Sequence, residues 1–465
     1  MPTWRCFRPV ANLTPPELRV LVPVLRQGGR AGKQTPQRGE DMNRRVFLAD
    51  SGRTVAAALA AGTARMESPP ALETAQPARD DVEGRVATII QAYDAQGNHR
   101  TGTRVDQVSA EWLANEVRQS GAEPSLEPFT LNRLDPQPCY LRIGDRRIDG
   151  VPLFDAGLTG AEGVRGRLGP LGSDAEIGLA ETTPFRVYEP DGTEERNEVA
   201  EARQSGHKAI VLLTRGSRPG LFLINAGTFA KPFGPPALQV SSVESDWLKE
   251  QAQTRAAATI VVHAKRTTAR AFNVTSKISG RKPNLAPIVL MAPRSGWWQC
   301  ASEQGSRMAC WLEAMRVLAH GHPARSCFFV ALTGHELGYL GIDAYLKGRS
   351  DLIKGAHAWI FFGSSIGEPR QPNLIHASDD ALERWTVAAM EKEGLTVNTQ
   401  ATHGSKARGE TGAVQQGGGR FVTVACGSDV FHNVADRWPE AVDVAYLARY
   451  ARAFANGVLE LAQRE

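Results

Sequence analysis

Cysteine is scarce and scattered: six residues (Cys6, Cys139, Cys300, Cys310, Cys327 and Cys426) are spread over 465 positions without a C-x-x-C pair or zinc-finger spacing. That pattern excludes a disulfide scaffold. One bridge stays open for an exported protein, but spacing does not choose its partners. No stretch approaches 18 consecutive apolar residues, so the sequence offers no membrane-spanning helix, and it contains no internal repeat. A charge excess of one sign is also missing from most of the chain. The totals are 54 Lys+Arg against 50 Asp+Glu, but residues 1–66 hold 11 basic and 4 acidic side chains, leaving 43 basic and 46 acidic in the rest. A body of net −3 lacks the basic surplus that phosphate backbones attract, which excludes nucleic acid as the partner class. What is present, 42% hydrophobic and 22% charged residues, suffices for a sizeable core in two or three units.

From Met42 the chain reads M-N-R-R-V-F-L-A-D-S-G-R-T-V-A-A-A-L-A-A-G-T-A. The pair Arg44-Arg45 ahead of a mildly apolar run from Val55 to Ala61 resembles a twin-arginine export signal, here residues 42–66. A short amphipathic surface helix is the alternative. Residues 1–41 mix Pro, Gly, Arg and Gln with no apolar period and read as a disordered or untranslated extension. The resemblance implies a periplasmic or secreted protein.

Residues 84–120 carry apolar side chains at helical spacing in two segments around a Gly/Thr/Arg-rich break, which predicts two helices. Glu127 to Leu141 reads as a strand region broken by Pro136 and Pro138. Between 150 and 268 the texture changes to short β-branched runs separated by Gly and Pro, with helices at 195–205 and 243–252. This small β-rich unit shows no cluster of ligand or nucleophile side chains, and no catalytic part is expected of it. From 271 onward strands and helices alternate, which predicts an α/β sheet with helices on both faces.

In such sheets the site lies beyond the carboxyl ends of the strands. After P-I-V-L-M come Arg294, Trp297, Trp298 and Glu303; after C-F-F-V-A-L comes T-G-H-E-L-G with His335 and Glu336. After A-W-I-F-F comes Ser364, and after F-V-T-V-A-C come Asp429, His432 and Asp436. T-G-H-E-L-G-Y-L-G and F-H-N-V-A-D resemble the G-E-E-L-G-L-L-G and Y-H-T-x-x-D motifs of a zinc exopeptidase superfamily. Its members include bacterial leucyl aminopeptidase, glutamate carboxypeptidase, transferrin receptor and glutaminyl cyclase. The resemblance implies a zinc-aminopeptidase-like mixed sheet formed by residues 67–149 and 269–465. Residues 150–268 would be a protease-associated-like insert.

The departures from the family pattern fall on one side of its two-metal site. Ala292-Pro293-Arg294 stands where the family has His-x-Asp, and Ser364 where it has a ligating Asp, while Glu303, Glu336 and His432 keep a carboxylate or imidazole in ligand positions. The resemblance therefore implies one zinc ion held by Glu303, Glu336 and His432. His335 stands in place of the general base, and Asp436 would orient the His432 imidazole. Each ligand also has a structural alternative: Glu303 and Glu336 as helix-start acids, and His432 as a hydrogen-bonded loop residue. Arg294, Trp297, Trp298 and Ser364 are the candidate substrate-binding residues, with Arg294 placed to take a substrate carboxylate. Trp297 and Trp298 are equally readable as packing. Ser365 lies in a G-x-S-x-G stretch, but the E-P-R-Q-P that follows cannot start the helix of a nucleophile elbow. The expectation is a divergent hydrolase of an amide or peptide-like bond in a small substrate. Its rival is a catalytically inactive binding protein of the same fold.

Overall fold

In the computed structural model the central strand is Ile288–Pro293, and every residue of it is buried. Ile288, Leu290 and Ala292 face one apolar cluster while Val289 and Met291 face another, so the unbroken apolar run reflects a strand covered on both sides. Each such Ile, Leu or Val contributes roughly 1.5–3 kcal/mol by leaving water. The structure describes residues 81–184, 198–368 and 372–464; the expected extension and export signal lie outside them.

Cys327–Leu332 and Ala358–Phe362 flank the central strand in parallel, and Phe421–Cys426 runs parallel beyond Ala358–Phe362. The chain steps first to one side of Ile288–Pro293 and then to the other. Four strand carboxyl ends thus open at one edge around a switch of direction. Asn373–Ala377 and Ala257–Ile278 add antiparallel neighbours at the two sides, making the sheet mixed. Val82–Asp94, Ser306–Gly321 and Val444–Gln463 cover one face; Leu340–Leu346 and Thr411–Gln416 cover the other. No helix among the described residues is long and apolar enough to cross a membrane.

Pro136 and Pro138 shift the register of a strand without ending it: Pro124–Ile143 is continuous, with the shift between Pro136 and Cys139. Its partner Ala257–Ile278 runs straight through residue 268, the expected limit of the insert. That limit lies inside a strand because its two apolar runs are halves of one ribbon. The segment before it nevertheless has its own core. Ala209–Thr214 is wholly buried, with Ala209, Val211 and Leu213 in one cluster and Ile210 and Leu212 in another.

Candidate active site

The loop after the central strand turns sharply at Cys300, whose backbone is left-handed (φ 53°), and continues as one π-helical turn, Ala301–Gly305, into the helix Ser306–Gly321. Strained backbone and π turns of this kind occur often at functional sites. Asp436 holds the turn from the last loop, its two carboxylate oxygens accepting from the amides of Ser302 (2.6 Å) and Glu303 (3.0 Å). Burial pushes the Asp436 carboxyl up to about 8. Asp436 does not orient His432 as the sequence suggested. The amides of a helix start lie closer and take both of its oxygens.

Glu303 and His432 come together. Glu303 is fully buried; its Oε1 accepts from Gln304 Nε2 (3.0 Å) and lies 3.5 Å from His432 Nε2. Among the described residues, neither Glu303 Oε2 nor His432 Nε2 has a hydrogen-bond partner. Burial works against the Glu303 carboxylate, but His432, with His335 and Arg307 nearby, brings it down to about 2. The other nitrogen of His432, Nδ1, is 2.7 Å from the main-chain carbonyl of Leu223, in the segment 150–268. That segment thus does take part in the site, through a main-chain group that a reading of side chains overlooks. The Leu223 amide donates to the His432 carbonyl, and Ala226 N to the Glu336 carbonyl (2.8 Å), so this loop lies over both site loops.

Glu336 is held differently. Its Oε1 accepts from Thr101 N (2.7 Å) and its Oε2 from Ser295 Oγ (2.7 Å), while burial raises its carboxyl. Among the described residues the three ligand-type side chains with donor atoms within 4.8 Å of one another are Cys300, Glu303 and Asp436, a set that contains Glu303 but neither Glu336 nor His432. Burial raises the Cys300 thiol well above its usual range, and Glu303 and Asp436 add to the effect.

Arg294 is corrected most plainly. It is 1% exposed, its Nη1 lies 2.9 Å from Asp106 Oδ1 and 3.0 Å from the Asp106 carbonyl, and its Nη2 donates to the Phe272 carbonyl (2.6 Å). The guanidinium is drawn under the helix Arg104–Gln119 and away from any substrate, because three acceptors converge there. Trp297 packs edge-on against Phe154 of the insert and donates to Asn225 Oδ1 (2.9 Å); Trp298 donates to the His432 carbonyl (2.9 Å) and remains half-buried. Ser364 is half-buried, and its carbonyl accepts from Cys426 N. Ser365 has φ 58° and a buried Oγ with no partner among the described residues, and no helix starts within 363–368.

Two site residues escaped the sequence reading. Glu410, 1% exposed, has its Oε1 2.9 Å from His335 Nδ1. Arg307 is buried beside Glu303 and Glu410, with Nε and Nη1 unpartnered among the described residues. Neither lies in a motif. Glu410 is 75 positions from its histidine, and Arg307 reads as an ordinary helix residue.

No family model matches the chain, and a search of curated protein sequences gives no significant match. Among solved structures the fold is similar to BSAP, a zinc aminopeptidase from Bacillus subtilis, with TM-score 0.68 and 18% identity over 82% of this chain and 95% of that one. An aminopeptidase from Aneurinibacillus sp. gives 0.63 and 16% over 82% and 94%, and a peptidase precursor from Shewanella amazonensis 0.65 and 16% over 83% and 96%. The likeness is one of fold, and the fold is the one the sequence motifs resemble.

Proposed function

We propose that the chain is an exported hydrolase of the zinc-peptidase type, cleaving an amide or peptide-like bond of a small substrate. The observation that carries this reading is the buried pair of Glu303 and His432 at the strand ends of this fold: Oε1 lies 3.5 Å from Nε2, and Glu303 Oε2 and His432 Nε2 have no hydrogen-bond partner among the described residues. An unmet buried acceptor costs about 1–3 kcal/mol, a cost that a bound cation removes. An imidazole nitrogen and a carboxylate oxygen suit zinc, and His432 has the acceptor on its other nitrogen that ligating histidines usually have. Glu303 and His432 would hold the ion. Cys300 offers a thiol beside Glu303. Zinc bound there would supply a Lewis acid that polarises the scissile carbonyl. The residues of the chain do the rest: His335 takes the proton of the attacking water, and Trp298 walls the half-open side.

Elemental analysis of protein purified without chelator tests the metal, and turnover of a panel of aminoacyl p-nitroanilides tests the reaction. About one zinc per chain is expected from the ligand count. His432→Ala should remove it and Ser364→Ala should not. Two zinc ions per chain would overturn the ligand assignment.

A second reading, an inactive binding protein, is favoured by one observation. Glu303 and His432 are 0% and 2% exposed beneath the insert loop that carries Leu223, so a substrate needs that loop to move. A chain without metal and without turnover would establish it. The protease-associated-like insert and the export route belong to the same proposal. Replacing Arg44 and Arg45 by lysine should hold an unprocessed precursor in the cytoplasm, and normal export of that variant would exclude the twin-arginine route.

A further inference from the structure

The two imidazoles of the site are anchored alike at Nδ1 but by groups of different charge. His432 meets a neutral carbonyl, and His335 meets the buried carboxylate of Glu410 at 2.9 Å. We propose that Glu410 is a positioning residue that fixes His335 as its Nδ1–H tautomer, leaving Nε2 bare as the proton acceptor of the site. This rests on the hydrolase reading given above.

The geometry leaves few alternatives. An ionised carboxylate only accepts, so the shared proton must sit on Nδ1, and the lone pair is forced to Nε2. Both partners are removed from water, His335 with a side-chain exposure of 8% and Glu410 with 1%. The main chain of the histidine is tied by its amide to Ser295 Oγ (3.3 Å), and the Tyr339 ring lies 5.5 Å from its own at 60°. In the reaction the water's O–H bond breaks as its oxygen bonds to the carbonyl carbon, and the proton goes to Nε2. It passes from Nε2 to the amine nitrogen as the C–N bond breaks. Glu410 faces the transient imidazolium at Nδ1, as the buried acid does beside the histidine of serine hydrolases.

The test is the tautomer, read from long-range 1H–15N imidazole spectra of the uniformly labelled, metal-loaded full chain, with His335→Ala assigning the signals. The unprotonated nitrogen is expected at Nε2 in the native protein and in Glu410→Gln, whose amide oxygen still accepts from Nδ1. In Glu410→Met, close in volume and without an acceptor, it should move to Nδ1. Turnover of the p-nitroanilide panel should follow it, with kcat down about 100-fold in Glu410→Met at unchanged KM, the scale of general-base assistance. The Gln variant should lose far less. A native spectrum with the proton on Nε2, or a Met variant with the native tautomer, overturns the role of Glu410. A shifted tautomer with undiminished kcat overturns His335 as the base, and with it the reading on which the proposal rests.

Discussion

On the side of Arg294 and Glu336 the buried charges are nearly all matched. Arg294 faces Asp106 and two carbonyls, Glu336 has a donor for each oxygen, and Asp106 also accepts from Gly102 N and Thr333 Oγ1. On the side of Glu303 and His432 the burial is as deep, yet Glu303 Oε2, His432 Nε2, Glu410 Oε2 and two nitrogens of Arg307 have no partner among the described residues. The first half spends its charges on holding elements together. The second leaves buried donors and acceptors unmet, at a cost in stability that a bound ligand would offset. Arg294, which stands where the resemblance puts a metal ligand, belongs to the first half, where its charge holds structure together.

This contrast breaks if the first half proves dispensable. Arg294→Ala should destabilise the fold by about 3–5 kcal/mol in chemical denaturation, because it leaves Asp106 buried and unpaired. Zinc content, measured below the unfolding transition, should not change. A loss under about 1 kcal/mol would mean that water or a neighbour replaces the guanidinium easily, and that the two halves differ less than their partners suggest.

The same half carries a pH dependence. His99 stacks on Tyr93 at 3.7 Å and donates its amide to the Trp298 carbonyl; burial, with help from the Arg294 charge, lowers its pKa from 6.5 to about 3. The folded protein needs this imidazole neutral, whereas the unfolded chain protonates it below about 6.5. Its contribution is therefore complete above that pH and is lost as pH falls toward 3. His99→Gln should flatten the stability profile across that window, as read from denaturant midpoints at successive pH values. An unchanged slope would remove His99 from the account of acid lability. A smaller effect is expected at the insert. Asn225→Ala takes away the acceptor of Trp297 Nε1, costing about 0.5–1.5 kcal/mol in thermal or chemical unfolding.

What could be read from the sequence follows the same division. The strands were legible because burial on both faces makes continuous apolar runs, and the loops at their ends therefore named Glu303, His335, Glu336 and His432. Direction was not legible. Alignment placed Arg294 in a vacated ligand position, but which way a long side chain turns is decided by acceptors on Arg104–Gln119 and Ala257–Ile278, far off in sequence. The Leu223 carbonyl and the Glu410 carboxylate were missed because each reaches its histidine across more than 70 positions, and neither distance nor main-chain acceptors leave a mark in a motif.

The last way to sharpen the comparison lies where the chemistry is densest. Glu303→Gln keeps the volume and the oxygen that accepts from Gln304, and it deletes a buried negative charge whose second oxygen has no donor among the described residues. The carboxylate is favoured there by His432, whose Nε2 lies 3.5 Å away, and by His335 and Arg307. That attraction outweighs the desolvation, so the metal-free variant should be less stable than the native chain by about 2–4 kcal/mol yet still folded. Zinc should nevertheless be absent, since a neutral amide is a poor ligand beside a single imidazole. Denaturant unfolding of both proteins after chelation, paired with elemental analysis before it, separates the two effects. Zinc retained in the variant would place Glu303 among the structural charges, as Arg294 is, and would erase the distinction between the halves.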